Sequence, residues 1–184
     1  MKEVDYGHKS SPAILVPMIM ALVKPVSVVD WGCNVGVWLD AFRSHGVKSV
    51  HGLDVWPRSS HSLISADEFT QVNFEHDIPI RECDLAINLE NAEHLREPRA
   101  NVLVDALTAS APTVLFSAAT PGQGGDHHYN EQPHAYWHYK FMERGYMLFD
   151  VLRWAVYKNP KVEWWYRDNM FIYSRKPLPI ERTV

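Results

Sequence analysis

Cysteine is scarce in this chain, with Cys33 and Cys83 the only two among 184 residues. Two distant cysteines do not make a disulfide framework, so a reducing, cytoplasmic setting is the expectation. Positive charge is in short supply as well. A formal net charge of −4 argues against a protein that coats duplex nucleic acid, although a local basic face stays open. Long hydrophobic runs are missing: the most apolar early stretch, 13–23, is interrupted by Pro17 and is too short to span a bilayer. No membrane partner is therefore expected. The opening "MKEVDYGHKSSP" shows no secretory apolar region. No repeat, low-complexity tract or linker divides the chain.

What is present is an ordinary globular composition, 46% hydrophobic and 22% charged. Its length suits one domain, 1–184, with an N-terminal helical or lid segment 1–25 and a core 26–175. Apolar periodicity predicts a helix over 12–23, capped by Ser10 or Ser11 with Pro12 in its first turn. Strands are expected at 26–31, 47–55, 69–77, 83–90 and 112–119, and helices at 35–46, 98–111 and 132–146. Two aromatic, strand-like runs, 146–157 and 162–175, flank the turn signal "KNPK". The alternation predicts an α/β fold: a doubly wound, seven-stranded, mainly parallel sheet with a C-terminal antiparallel hairpin.

Ligands of such sheets sit beyond the carboxyl ends of the strands. The loop after the first strand reads Asp30-Trp31-Gly32-Cys33-Asn34-Val35-Gly36. It lacks the Lys-Ser/Thr of a phosphate-binding P-loop. It also lacks the middle glycine that lets backbone approach a pyrophosphate. Asp30 would repel phosphate but suits an ammonium group. Asp54 ends the second strand, where a carboxylate accepts ribose hydroxyls. Asp77 in "FEHDIP" follows the third, where an adenine edge would lie. An ammonium, a ribose and an adenine without phosphate describe S-adenosylmethionine. Trp56 either covers the adenine or packs; Trp31 and Trp38 are expected to pack, and Cys33 and Cys83 to be small buried residues rather than nucleophiles.

On "VVDWGCNVG", "GLDVW", "FEHDIP" and "CDLAINLENAEHL" the chain resembles the class I S-adenosylmethionine-dependent methyltransferases from about Val26 to Arg175. The resemblance implies that Asp30, Gly32, Cys33, Asn34 and Gly36 hold the methionine part of the cofactor. It places Asp54, Val55 and Trp56 at the ribose and adenine and Asp77 and Ile78 at the adenine edge, with Asn88 and Glu90 also among the cofactor-binding residues. Asn34 stands where the family's middle glycine is common.

A second cluster begins with Glu90, Glu93 and His94 in "LENAEHL", an E-x-x-E-H that at helical spacing would share one face. Downstream, "PGQGGDHHYNEQPHAYW" carries His127, His128, Glu131 and His134 at the same sheet edge. The segment also looks like part of a subset of small bacterial and phage methyltransferases. E-x-x-E-H with a distant His resembles the small-RNA 2′-O-methyltransferases and the ubiquinone-pathway O-methyltransferases. That likeness implies a divalent metal, Mg²⁺ or similar, on Glu90, Glu93, His94 and either His127 or His128, acidifying a hydroxyl. Without metal, His128 or Glu131 is the expected general base, with His94 nearby. Plainer readings make Asn130 a helix cap, and His134 and His138 a solvated face.

The expected activity is methylation of a small-molecule or sugar-like hydroxyl. The acceptor would be held by 5–17, with Tyr6 and His8 as candidates, and by the post-strand loops. A nucleic-acid methyltransferase is the first rival, although no N-P-P-Y-like motif follows the fourth strand. A non-catalytic module with the same fold is the second, and a dehydrogenase the third. The sequence is silent on oligomeric state.

Overall fold

A computed structural model describes residues 9–180; Tyr6 and His8 lie outside them. Seven strands form one sheet in the order β3-β2-β1-β4-β5-β7-β6. They are β1 Ser27–Trp31, β2 Ser49–Asp54, β3 Phe69–Gln71, β4 Leu85–Leu89, β5 Thr113–Ser117, β6 Met147–Phe149 and β7 Phe171–Ser174. The first five pair in parallel, and β7 runs antiparallel to both β5 and β6. Every residue of β4 and β5 is buried, as expected of central strands covered on both faces.

Alternation along the strands feeds two cores. Val29, Trp31, Ala86, Val114 and Phe116 pack with α3 (Arg99–Ser110) and α4 (His134–Glu143). Val28, Leu85, Ile87 and Leu115 pack with α1 (Ser10–Val23) and α2 (Val37–Ser44). The chain runs outward from β1 to β3, then returns to β4 beside β1. That reversal opens a crevice at the carboxyl ends of β1 and β4, where such sheets bind ligands.

Several expectations need correction. The third strand is only three residues long, because the chain turns at Asn73, whose carbonyl accepts the His76 and Asp77 N–H groups. The aromatic tail pairs as a hairpin, but two helices, α5 (Leu152–Val156) and α6 (Trp164–Asn169), are inserted between β6 and β7. Aromatic composition signalled strand, but Leu152 and Val156, one helical turn apart, bury together in the core. Ser10 and Ser11 do not cap α1; they lie in its first turn and both donate to the Glu163 carboxylate. Nor does Asn130 cap α4: it is buried and accepts Gln132 Nε2 at 2.8 Å. His134 and His138 are half-buried rather than solvated.

Candidate functional site

The loop after β1 is set by three left-handed residues, Gly32 (φ 97°), Asn34 (φ 49°) and Gly36 (φ 82°). The Gly32 and Cys33 N–H groups donate to the Leu53 carbonyl at 2.8 and 3.1 Å, tying the loop to β2. A Cβ on Gly32 would lie 2.6 Å from Asn91 Cγ, so glycine lets the loops after β1 and β4 touch. Asp54 is buried, and its two carboxylate oxygens accept the Asn34 N–H at 2.7 Å and the Trp56 N–H at 2.9 Å. Each oxygen retains a lone pair for a further donor.

Asp30 is buried and accepts no side-chain hydrogen bond among the described residues. Burial, and then the neighbouring Asp54, hold its carboxyl well above the usual carboxylate range. Burial likewise raises the Asp54 carboxyl, partly offset by its backbone donors. Two carboxyls this close disfavour an anionic ligand and favour a cation.

The remaining residues expected at the cofactor divide into lining and support. Val55, Asp77 and Trp56 are exposed, Trp56 by 75%, so Trp56 is not a packing residue. Ile78 is buried. Asn88 is fully buried, and its Nδ2 donates to the Trp31 carbonyl at 2.7 Å, joining β4 to β1. Trp31 and Trp38 pack, donating to the Pro79 carbonyl and the Tyr166 hydroxyl. Burial raises the Cys33 thiol far out of reach of ionisation and the Cys83 thiol to about 12, so neither is an activated nucleophile.

Glu90, Glu93 and His94 do not share a helical face. Glu90 is left-handed (φ 47°), and only Ala92–His94 turn, as a short 3₁₀ helix. Glu93 therefore points inward and is fully buried, while His94 is only partly covered, its ring reaching solvent. Neither Glu93 carboxyl oxygen has a partner among the described residues. Burial first, then Glu90, push its pKa well up. Glu93, His94 and His128 each offer one ligand atom, all within 4.8 Å of one another. Glu90 is not part of that group: its carboxylate accepts Gln123 Nε2 at 2.9 Å and Asn169 Nδ2 at 3.4 Å. His127 is not part of it either; its ring bonds the Tyr129 hydroxyl.

Both imidazoles are braced from behind. His94 Nδ1 lies 3.2 Å from the His127 carbonyl, and burial lowers its pKa. His128 Nδ1 lies 3.0 Å from Glu131 Oε1. Glu131 also accepts the Gly122 and Gly124 N–H groups at 2.8 and 2.7 Å. It orients His128 and shapes the loop, so it is not a free base. The Tyr129 and Asn130 N–H groups donate to the Glu93 carbonyl at 2.9 and 3.0 Å, stitching the post-β5 loop to the post-β4 turn. Sequence reasoning missed Asn169 and Tyr166 on α6, which reach the same site; a strand assignment for that segment hid them.

No family model matches the chain. A ribosomal protein L11 methyltransferase from Lactobacillus johnsonii is 26% identical over 170 residues, 92% of this chain and 44% of the relative. One from Lactobacillus gasseri is 31% identical over 106 residues, 58% of this chain and 32% of the relative. The chain thus spans less than half the length of these curated relatives. Among solved structures, Streptomyces venezuelae DesVI superposes with a TM-score of 0.66 at 10% identity, covering 93% of each chain. The small RNA methyltransferase HEN1 gives 0.61 at 14% identity, covering 92% of this chain and 26% of that one. Strand order, the reversed β7 and these likenesses agree: the chain has the fold of the class I S-adenosylmethionine-dependent methyltransferases.

Proposed function

We propose that the chain is an S-adenosylmethionine-dependent methyltransferase acting on a hydroxyl of a small-molecule or sugar-like acceptor. The observation that carries this reading is the pair of buried carboxyls, Asp30 and Asp54, on either side of a glycine loop at the β1/β4 crevice. A cationic ligand relieves their repulsion, whereas a pyrophosphate would add to it. The cofactor would supply an already activated methyl group. The chain's own residues then bind and align. Asp30 meets the amino group; Asp54, held by the Asn34 and Trp56 N–H groups, accepts the ribose hydroxyls; Trp56 covers the adenine and Asp77 meets its edge. Alignment and exclusion of water are the main demands of such a transfer. His128, oriented by Glu131, takes the acceptor proton.

A second reading, assistance by a divalent metal as in RNA 2′-O-methylation, is favoured by the Glu93 carboxyl, unpartnered among the described residues, beside His94 and His128. These three residues would hold the ion. The Glu131 and His127-carbonyl bonds behind the imidazoles match the outer support that metal-bound histidines receive. Bound there, a divalent ion would lower the pKa of an acceptor hydroxyl. The relatives' own name, ribosomal protein L11 methyltransferase, raises a protein acceptor as a further alternative. The test is calorimetric titration with S-adenosylhomocysteine and with NAD, followed by methyl-transfer assays against hydroxyl, RNA and protein acceptors. Micromolar binding of the sulfur ligand with none of NAD is the expected result. No binding of S-adenosylhomocysteine would overturn the proposal.

A further inference from the structure

α6 is tied to the site by two residues one turn apart. The Tyr166 hydroxyl accepts Trp38 Nε1 at 3.3 Å, and the two rings meet edge-on at 5.3 Å. This anchors α6 on α2, the helix that opens from the cofactor loop. Asn169, only 2% exposed, faces the other way along the sheet edge. Its Nδ2 donates to Gln123 Oε1 at 2.8 Å and to Glu90 Oε1 at 3.4 Å, and its Oδ1 receives His134 Nε2 at 3.1 Å. Gln123 closes the ring by donating Nε2 to Glu90 Oε2 at 2.9 Å. One buried amide thus joins the end of β4, the post-β5 loop, the start of α4 and the end of α6.

The ring has mechanical consequences. Glu90 is the left-handed residue at the end of β4, and its successor Asn91 lies against Gly32 of the cofactor loop. A left-handed non-glycine residue persists only where its surroundings hold it. The Glu90 N–H donates to the Ser117 carbonyl at 3.0 Å, and the two amides on its carboxylate fix the side chain as well.

We infer that Asn169 is a positioning residue: with Gln123 it locks Glu90, and so sets the post-β1, post-β4 and post-β5 loops in one arrangement that binds the cofactor. The ligand arm of the test rests on the methyltransferase reading, but the exchange arm does not. Asn169→Ala, Gln123→Ala and the double variant are compared with the unaltered chain. In the ligand-free proteins, amide hydrogen exchange should accelerate at least about tenfold in 120–131 while β5 keeps its protection. S-adenosylhomocysteine affinity should fall about five- to tenfold in each single variant and no further in the double, the mark of one shared unit. A purely structural role would loosen β5 as well, or leave the loop unchanged, and either result overturns the inference. So do additive losses of affinity, or affinities within twofold of the unaltered chain. If Asn169→Ala does not fold, Gln123→Ala, a change in a surface loop, decides on the same two readouts. Failure of the unaltered chain to bind S-adenosylhomocysteine would sink the methyltransferase reading and leave the exchange arm to judge Asn169.

Discussion

At the scale of single residues, a carboxyl buried at the end of a strand lowers stability unless a cation meets it. Asp30 is such a group. Its folded pKa is raised, by burial and then by Asp54, so the unfolded chain ionises first and ionisation weighs against folding. The penalty is absent below the ordinary carboxylate value of 3.8 and is complete only above the raised folded value. Asp30→Asn should therefore stabilise the ligand-free protein by about 2–5 °C near pH 8. That gain should shrink toward nothing near pH 4, and at pH 8 S-adenosylhomocysteine affinity should fall by at least about tenfold. Paired thermal melts at the two pH values check the first part and calorimetry the second. The charge types at Asp30 and Asp54 were legible in the sequence, because strand-ending acids need only local pattern to be noticed. His128 was already a candidate from the sequence, but assigning Glu131 to its support was not legible: neighbouring residues in a loop diverge according to contacts made elsewhere.

Among the elements, β1, β4 and β5 were readable because strands buried on both faces need continuous apolar, β-branched runs. β5 places Phe116 among Trp137, Phe141 and Tyr173, with ring centroids 5.0, 5.3 and 6.3 Å away. Phe116→Ala should cost about 3–5 kcal/mol, seen as a lower urea midpoint with an unchanged slope. The tail was misread for a physical reason. Aromatics favour strands only when a pleated neighbour covers them, and β7 offers edge room for three residues of β6. The surplus folds into α5 and α6, whose buried residues, among them Leu152, Val156 and Asn169, are selected by tertiary contact. E-x-x-E-H failed as a helical face in the same way: left-handed Glu90 precedes the turn, so Glu93 goes inward alone.

On the scale of the whole molecule, the site is where three loops from three parallel strands converge, and its chemistry depends on that convergence. Glu93, His94 and His128 come from two of those loops, stitched by the Glu93 carbonyl. If they take a cation, Mn²⁺ should raise the melting temperature of the unaltered chain and leave His128→Ala unmoved. Its affinity should tighten as pH rises, since Glu93 must release its proton to ligate. Equal shifts in both proteins, or affinity indifferent to pH, would show that the ion sits elsewhere. No described helix is long and apolar enough to cross a membrane. Apolar periodicity and the residues at strand ends were sufficient for the α/β class, the seven-strand count and the glycine loop after β1, since each depends on neighbours within a few residues. Contacts across tens of residues settled the rest. Examples are the orphaning of Glu93, the Glu131 brace on His128 and the Asn169 clamp on Glu90. Burial and hydrogen-bond partners belong to the packed chain, and residues 90 and 169 become neighbours only when β4 and α6 meet at the same edge of the sheet.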